Sequence, residues 1–398
     1  MRQKRLLLLG GIRYLLPVIK EAHEQGYYVI TADFVPDNIA HKYSDEYVNV
    51  SIIDKEAVLE IAEEKEIDGI MSFGVDPGVV TAAYVAEKMG LPSPGPYKSV
   101  EILQNKDLFR RFLKDNGFNV PWAKSFSSID DALSYEFNFP VIVKPTDSAG
   151  SKGVSRVDSS EELVPALENA LSHSLKGNII VEAFIEKEGC SSDTDCFSVD
   201  GQLRFVSFSS QRFDELAANP YTPAAYTWPS TFTQVQEAYL TSELQRLISL
   251  LGMRTSIYNV ETRIGKDGKP YIMEVSPRGG GNRLAEMIRY ATGVDMITSC
   301  VQAMLGEPFS PIVQRPYNGF WAEVILHAEE GGIFRGVEIE DNIRQFLVEE
   351  DIWVKHGDKI RAFEGANDAI GTLIMRFDTI DTMQAVINSQ NDWLRILI

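Results

Sequence analysis

The stretch 255–283, TSIYNVETRIGKDGKPYIMEVSPRGGGNR, constrains this chain more than any other. IYNVETRI and PYIMEV alternate as strands do, and the intervening Lys266-Asp267-Gly268-Lys269 is a hairpin signal. Such a hairpin sets Glu261 and Glu274 on neighbouring strands, where both carboxylates can share one face. Two carboxylates held that close repel each other unless positive charge lies between them. A hard divalent cation suits the place, because Mg²⁺ takes oxygen ligands and is commonly shared with substrate phosphates. The hairpin runs into Ser276-Pro277-Arg278 and then Gly279-Gly280-Gly281, with Asn282 placed to N-cap a helix starting near Arg283. Glycines at a helix N-terminus leave amides uncovered for an anion, and Arg278 adds a forked positive charge beside them. The plainer alternative is an edge hairpin with two solvated glutamates and a flexible turn; the adjoining arginine and glycines favour the functional reading.

The rest of the chain narrows what that hairpin can serve. Its 398 residues suffice for two or three domains, each with its own core. With 38 Lys and Arg against 57 Asp and Glu, the net charge is −19 and no basic run forms a patch, which argues against nucleic acid and anionic membrane as partners. No apolar run reaches spanning length: Leu6 to Leu9 read as a short buried strand, and the Gly10-Gly11 that follows is no signal-peptidase site. Cys190, Cys196 and Cys300 lack metal-ligand spacing and fit a reducing compartment, so a cytoplasmic location is expected.

Residues 1–93 read as alternating strands and helices, the pattern of a parallel sheet, and Gly10-Gly11 falls at the strand end where such sheets bind ligands. LPSPGP at 91–96 has the proline density of a domain junction. One helix is expected over 99–117, carrying Lys106. FPVIVKP at 139–145 is a strand ending in Lys144-Pro145, and the small-residue loop after it offers Ser148, Gly150, Ser151 and Gly153 as a wrap of amides around phosphates, although it is not the Walker pattern. From Asp214 to Phe232 the chain is rich in proline and aromatics, which suggests a long irregular loop lining a substrate. Thr233–Leu251 is amphipathic helix, and residues 311–398 read as α+β, with His327 and His356 in structural or exposed positions.

Taken in order, the helix lysine, the strand Lys-Pro with its Gly/Ser loop, the Val-Glu strand and Glu…Glu-x-Ser-Pro-Arg resemble the ATP-grasp superfamily. Within it the chain is similar to carboxylate–amine ligases related to L-amino acid ligases, of biotin-carboxylase-like architecture. The resemblance implies an α/β and α+β molecule: a parallel-sheet pre-grasp domain over 1–98, an ATP-grasp domain over 99–310 with a small lid subdomain at about 121–185, and a C-terminal α+β lid region over 311–398. It also implies roles. Lys106 and Lys144 would contact the α- and β-phosphates of ATP, and the Ser148–Gly153 loop would close over the β- and γ-phosphates. Glu182 would accept from the adenine amine while the backbone of Ala183 and Ile185 reads the purine edge, and Glu188 is the nearest acid for the ribose. Glu261 and Glu274 would hold Mg²⁺, with Mn²⁺ an alternative. Arg278, with the amides of Gly279 and Gly280, would stabilise an acyl phosphate. The family usually has Asn where this chain has Ser276, a poorer oxygen donor for the second metal. The implied partners are small-molecule carboxylate and amine substrates, with a homodimer left open. A glycinamide ligase is less well matched, since GGIRY only partly fits the expected turn. A biotin carboxylase fits poorly at SSQRFDE, and a nucleotide-binding module without turnover would have no need of so many charged residues.

Overall fold

The computed structural model describes residues 2–147 and 152–398. Its first strands are β1 (Arg5–Leu9), β2 (Tyr28–Asp33), β3 (Glu46–Asn49) and β4 (Gly69–Ser72), interleaved with α1 (Leu16–Glu24), α2 (Lys55–Glu64) and α3 (Val79–Met89). They form a parallel sheet in the order β3-β2-β1-β4. Leu6 to Leu9 form an unbroken apolar run because both faces of β1 are covered: Leu7 and Leu9 pack in one core with Ile30 and Ile70, Leu6 and Leu8 in another with Val18 and Ile297. The edge strand β3, only partly buried, had no sequence signal of its own.

The single helix expected over 99–117 is two helices, α4 (Tyr97–Gln104) and α5 (Lys106–Asp115). Asn105 between them is extended at φ −109° and ψ 114°, and its side chain caps α5 by accepting from the Leu108 amide at 3.0 Å. Lys106 is thereby the first residue of α5, and its amide donates to the Thr146 carbonyl at 3.0 Å, just past the Lys-Pro strand.

Next comes an antiparallel sheet of β5 (Ala123–Phe126), β6 (Val141–Pro145), β7 (Ser155–Val157) and β8 (Ile179–Ala183), ordered β5-β8-β6-β7. Val141, Val143, Ile179 and Val181 share a core with α7 (Leu163–Ser172) and with Ala132 of α6 (Ile129–Leu133). Strand alternation then puts Lys144 and Glu182 on the opposite face, away from α7.

Strands β9 (Ser192–Val199), β10 (Gln202–Phe205), β11 (Ser210–Phe213) and β12 (Pro223–Trp228) precede α8 (Gln234–Leu250), and β13 (Ser256–Ile264), β14 (Pro270–Ser276) and α9 (Leu284–Thr292) follow it. A second four-stranded antiparallel sheet is ordered β10-β9-β13-β14. The remaining strands are β15 (Phe320–Leu326), β16 (Gly332–Ile333), β17 (Gly336–Ile339), β18 (Leu347–Ile352), β19 (Lys359–Ile360), β20 (Gly371–Phe377) and β21 (Leu394–Leu397). A five-stranded sheet, β11-β12-β15-β20-β18, draws on both sides of residue 311. This corrects the reading of 214–232 as one irregular loop. Pro223–Trp228 is a strand with Tyr226 and Trp228 fully buried, so those aromatics are core rather than loop lining. His327 is structural as expected, stacked on Phe363 and 3.0 Å from Asp214. Among the described residues, no helix is long and apolar enough to cross a membrane.

Candidate active site

The face of the β5-β8-β6-β7 sheet away from α7 meets α5 and β14 through one buried ion cluster. Glu182 lies with Arg110 Nε 3.0 Å from Oε1 and Lys144 Nζ 2.8 Å from Oε2. Arg110 also donates to the Met273 carbonyl at 2.8 Å, tying α5 to β14. Burial disfavours the Glu182 anion, yet the charges of Arg110 and Lys144 outweigh it and hold the carboxyl at about 2. Burial also lowers the Lys144 pKa, with Glu182 opposing and Arg110 and Lys106 reinforcing. Two cations around one carboxylate leave surplus positive charge on this wall, the electrostatics a polyphosphate needs.

The facing wall is acidic. Glu261 and Glu274 are cross-strand partners in the β13–β14 ladder, as the hairpin predicted. Lys106 Nζ stands 3.8 Å from Glu274, and Arg263 Nη2 stands 3.5 Å from Glu261. Strand β9 adds two acids that sequence reading missed: Asp193 opposite Glu261, and Asp195 opposite Asn259. Asp193 accepts from Asn259 at 2.8 Å and from the Tyr226 hydroxyl at 3.2 Å. Both pKa values are raised to about 7, by burial first, with the Glu261 charge adding to it for Asp193. The signal lay in Ser-Asp-Thr-Asp-Cys, whose alternation is that of a strand with an acidic face. Among the described residues no group of three or more His, Cys, Asp or Glu is arranged to hold a metal. A cation held by Glu261 and Glu274 would therefore complete its shell with phosphate oxygens and water, and the all-oxygen donors fit Mg²⁺.

Arg278 is fixed by a residue from the first sheet. Its Nε donates to Asp76 Oδ1 at 2.9 Å and its Nη2 to Oδ2 at 2.6 Å, and the guanidinium is buried. Burial opposes the Asp76 anion, but Arg278 outweighs it and keeps the carboxyl below the usual carboxylate range. Ser276 accepts from Gln104 at 2.8 Å and donates to Asp76 at 2.9 Å. Ser276→Ala is expected to cost about 1–3 kcal/mol, the worth of those two buried bonds, read as a lowered thermal midpoint.

Two details of the glycine turn differ from expectation. The Gly280 amide is not an open anion donor: it donates to both oxygens of Asp195, at 2.9 and 3.1 Å, because a buried N–H must find a partner. Asn282 does not cap α9; the cap position is Arg283, and both residues are left-handed, at φ 50° and 55°. Asn282 instead accepts from the Tyr14 hydroxyl at 2.7 Å and donates to the Tyr226 hydroxyl at 3.2 Å. The glycine at 279 serves close approach, since a Cβ there would lie 2.2 Å from the Phe73 ring. Gly279→Ala should therefore cost about 1–3 kcal/mol by overpacking, and Phe73→Leu in the same chain should recover part of the lost thermal midpoint.

Of the other expected nucleotide contacts, Ser148, Gly150 and Ser151 lie outside the described residues, and Gly153 is left-handed at φ +70°. The Ala183 amide donates to the Trp122 carbonyl at 2.8 Å, and the Ile185 carbonyl accepts from Arg263 at 3.2 Å. Glu188 is exposed, anchored through its amide to the Ile264 carbonyl at 2.8 Å. A larger cavity of about 570 Å³, lined by Gly331, Ile333, Lys359, Arg361, Glu364 and Asp368, involves none of the site residues.

The site thus gathers Lys106 and the Arg110–Glu182–Lys144 cluster on one side and the paired carboxylates Glu261 and Glu274 on the other, with Lys106 in contact with Glu274. Residues 137–286 match the ATP-grasp domain model. The L-amino acid ligase of Bacillus licheniformis superposes with TM-score 0.82 at 22% identity, over 100% of this chain and 99% of that one. Phosphoribosylglycinamide synthetase from Anaerococcus prevotii does so with TM-score 0.76 at 22%, over 100% of both. The biotin carboxylase domain of Hydrogenobacter thermophilus 2-oxoglutarate carboxylase, solved with MgADP and bicarbonate, gives TM-score 0.73 at 18%, over 100% of this chain and 91% of that one. The carbamoyl phosphate synthase large chain of Pseudothermotoga lettingae is 25% identical over 302 residues, 74% of this chain and 27% of the relative, so the chain spans about a quarter of that relative's length. The ATP-grasp match is carried by residues 137–286, and the solved structures share the fold of the chain around it.

Proposed function

We propose that the chain is an ATP-dependent carboxylate–amine ligase that forms an acyl phosphate and releases ADP and phosphate. The observation that carries this reading is the register of the Glu261–Glu274 pair, with Lys106 beside Glu274 and Arg278 following at once in the chain. The likeness to the L-amino acid ligase over the full length of both chains supports the ligase direction.

In the proposed reaction a substrate carboxylate oxygen attacks the γ-phosphorus of ATP, the bond to the β-phosphate oxygen breaks, and ADP leaves. The amine nitrogen then attacks the acyl carbon, the C–O bond to phosphate breaks, and the amine loses a proton as the amide forms. Lys144 and Lys106 neutralise and orient the polyphosphate, and Arg278, stiffened by Asp76, faces the acyl phosphate. Glu261 and Glu274 would hold Mg²⁺, which would supply charge neutralisation at the phosphates.

The test is ADP formation from MgATP with pools of acids and pools of amines supplied separately and together. The proposal expects rapid turnover only when both pools are present. ADP formation independent of both would contradict it.

A further inference from the structure

The first sheet runs β3-β2-β1-β4, so the chain leaves β1 on one side toward β2 and returns on its other side as β4. Parallel sheets take ligands in the crevice at such a reversal, outside the carboxyl ends of the two strands. The two loops at this crevice touch. A Cβ on Gly10, after β1, would lie 2.8 Å from the Val75 side chain, and one on Gly74, after β4, 3.0 Å from Tyr14. The loop after β4 supplies Asp76, which holds Arg278. The loop after β1 supplies Arg13 and Tyr14, and Tyr14 donates to Asn282 of the glycine turn at 2.7 Å. Arg13 therefore stands at the same corner as the residues given to the acyl phosphate, and that mechanism leaves it without a task.

Its surroundings are those of an anion seat. The Arg13 side chain is partly buried, and among the described residues it makes no hydrogen bond and no ion pair. The arginines around it are committed: Arg110 to Glu182, Arg263 to Glu261, Arg278 to Asp76, and Arg283 to Glu286 and Glu349. What Arg13 has instead is an aromatic face, its guanidinium carbon lying 5.0 Å from the centroid of Trp353. Tyr14 meets the same ring edge-on at 6.4 Å, and the Trp353 indole N–H donates to Asp351 at 2.8 Å, so the ring is fixed in place. Stacking uses the flat face of a guanidinium and leaves its forked N–H edge for a carboxylate or phosphate. A cation drawn partly out of water without a counter-charge is costly, and an anionic group of a ligand offsets that cost.

We propose that Arg13, backed by Trp353, receives a second anionic group of the substrate acid, so that the chain selects acids bearing such a group over counterparts that lack it. This rests on the ligase reading for which acid reacts at Arg278, but its test reads binding alone. The experiment is calorimetric titration of the whole chain with Mg²⁺ and a non-hydrolysable ATP analogue present. Succinate is set beside butyrate, glutarate beside pentanoate, adipate beside hexanoate, and 3-phosphoglycerate beside glycerate. At least one acid with the second anion should bind about 100-fold more tightly than its counterpart. Whether that acid is a dicarboxylate or the phosphorylated one tells which anion fills the seat. Arg13→Gln should weaken it by about 100-fold and bring the pair to within about threefold. Arg13→Lys should recover only part of the preference, because lysine keeps the charge but neither the fork nor the stack. Should Arg13→Gln fail to fold, Trp353→Leu, which keeps the charge and removes its backing, should lower the same preference by about tenfold. Equal binding of the two classes, a preference that survives these substitutions, or no binding across the panel would overturn the proposal. Absent ADP formation by a protein that keeps the preference would remove the ligase reading and leave the anion seat standing.

Discussion

Glu274→Gln is expected to lower turnover by about 10²–10³-fold while the protein stays folded. The side chain keeps 38% of its exposure, and its ion-pair contact, Lys106 at 3.8 Å, is long, so the native structure loses little when its charge goes. The cost falls on phosphoryl transfer, where a neutral amide cannot offset charge between the phosphates. Steady-state ADP formation and a melting curve on the same preparation separate the two effects. Activity within tenfold of the parent would remove Glu274 from the metal site.

Glu182→Gln is expected to act the other way, on stability. It leaves Arg110 and Lys144 buried beside a neutral amide, and breaking such a cluster by removing one partner costs about 3–5 kcal/mol. The pH dependence gives a second readout. The folded carboxyl sits at about 2, below its usual 4.5, so its contribution is full above about pH 4.5 and is lost as pH falls toward 2. That acid limb should be present in the parent's thermal midpoints and missing in the variant. A variant as stable as the parent at neutral pH would show that the cluster contributes nothing net.

The hairpin was legible because its information is local. Alternation and a Lys-Asp-Gly-Lys turn place Glu261 opposite Glu274 whatever surrounds them, and the ladder has that register. The parallel sheet was legible for the same reason, through the unbroken apolar run of β1. What sequence could not supply was the company each residue keeps. Asp76 reads as a turn residue before proline, and its bond to Arg278 exists only once the first sheet packs against β14. Asp195 reads as solvent-facing until the glycine turn folds back and offers it the Gly280 amide. Glu323 sits in GFWAEVIL as one acid in an apolar strand, and its lack of a hydrogen-bond partner among the described residues emerges only when Arg283, left-handed and engaged by Glu286 and Glu349, is seen beside it. Strand β12 was missed because the prolines in and around it and its aromatics imitate a loop, whereas in the fold Tyr226 and Trp228 fill the interior.

The central claim is that the γ-phosphate passes to a carboxylate before the amine arrives. It is tested most directly by supplying MgATP and the acid pool with hydroxylamine in place of the amine, and analysing the products. The account predicts a hydroxamate formed in step with ADP and phosphate, and an Arg278→Lys enzyme slowed by about 10²-fold because a lysine cannot reproduce the fork. AMP and pyrophosphate among the products, or ADP formed with no hydroxamate, would contradict it.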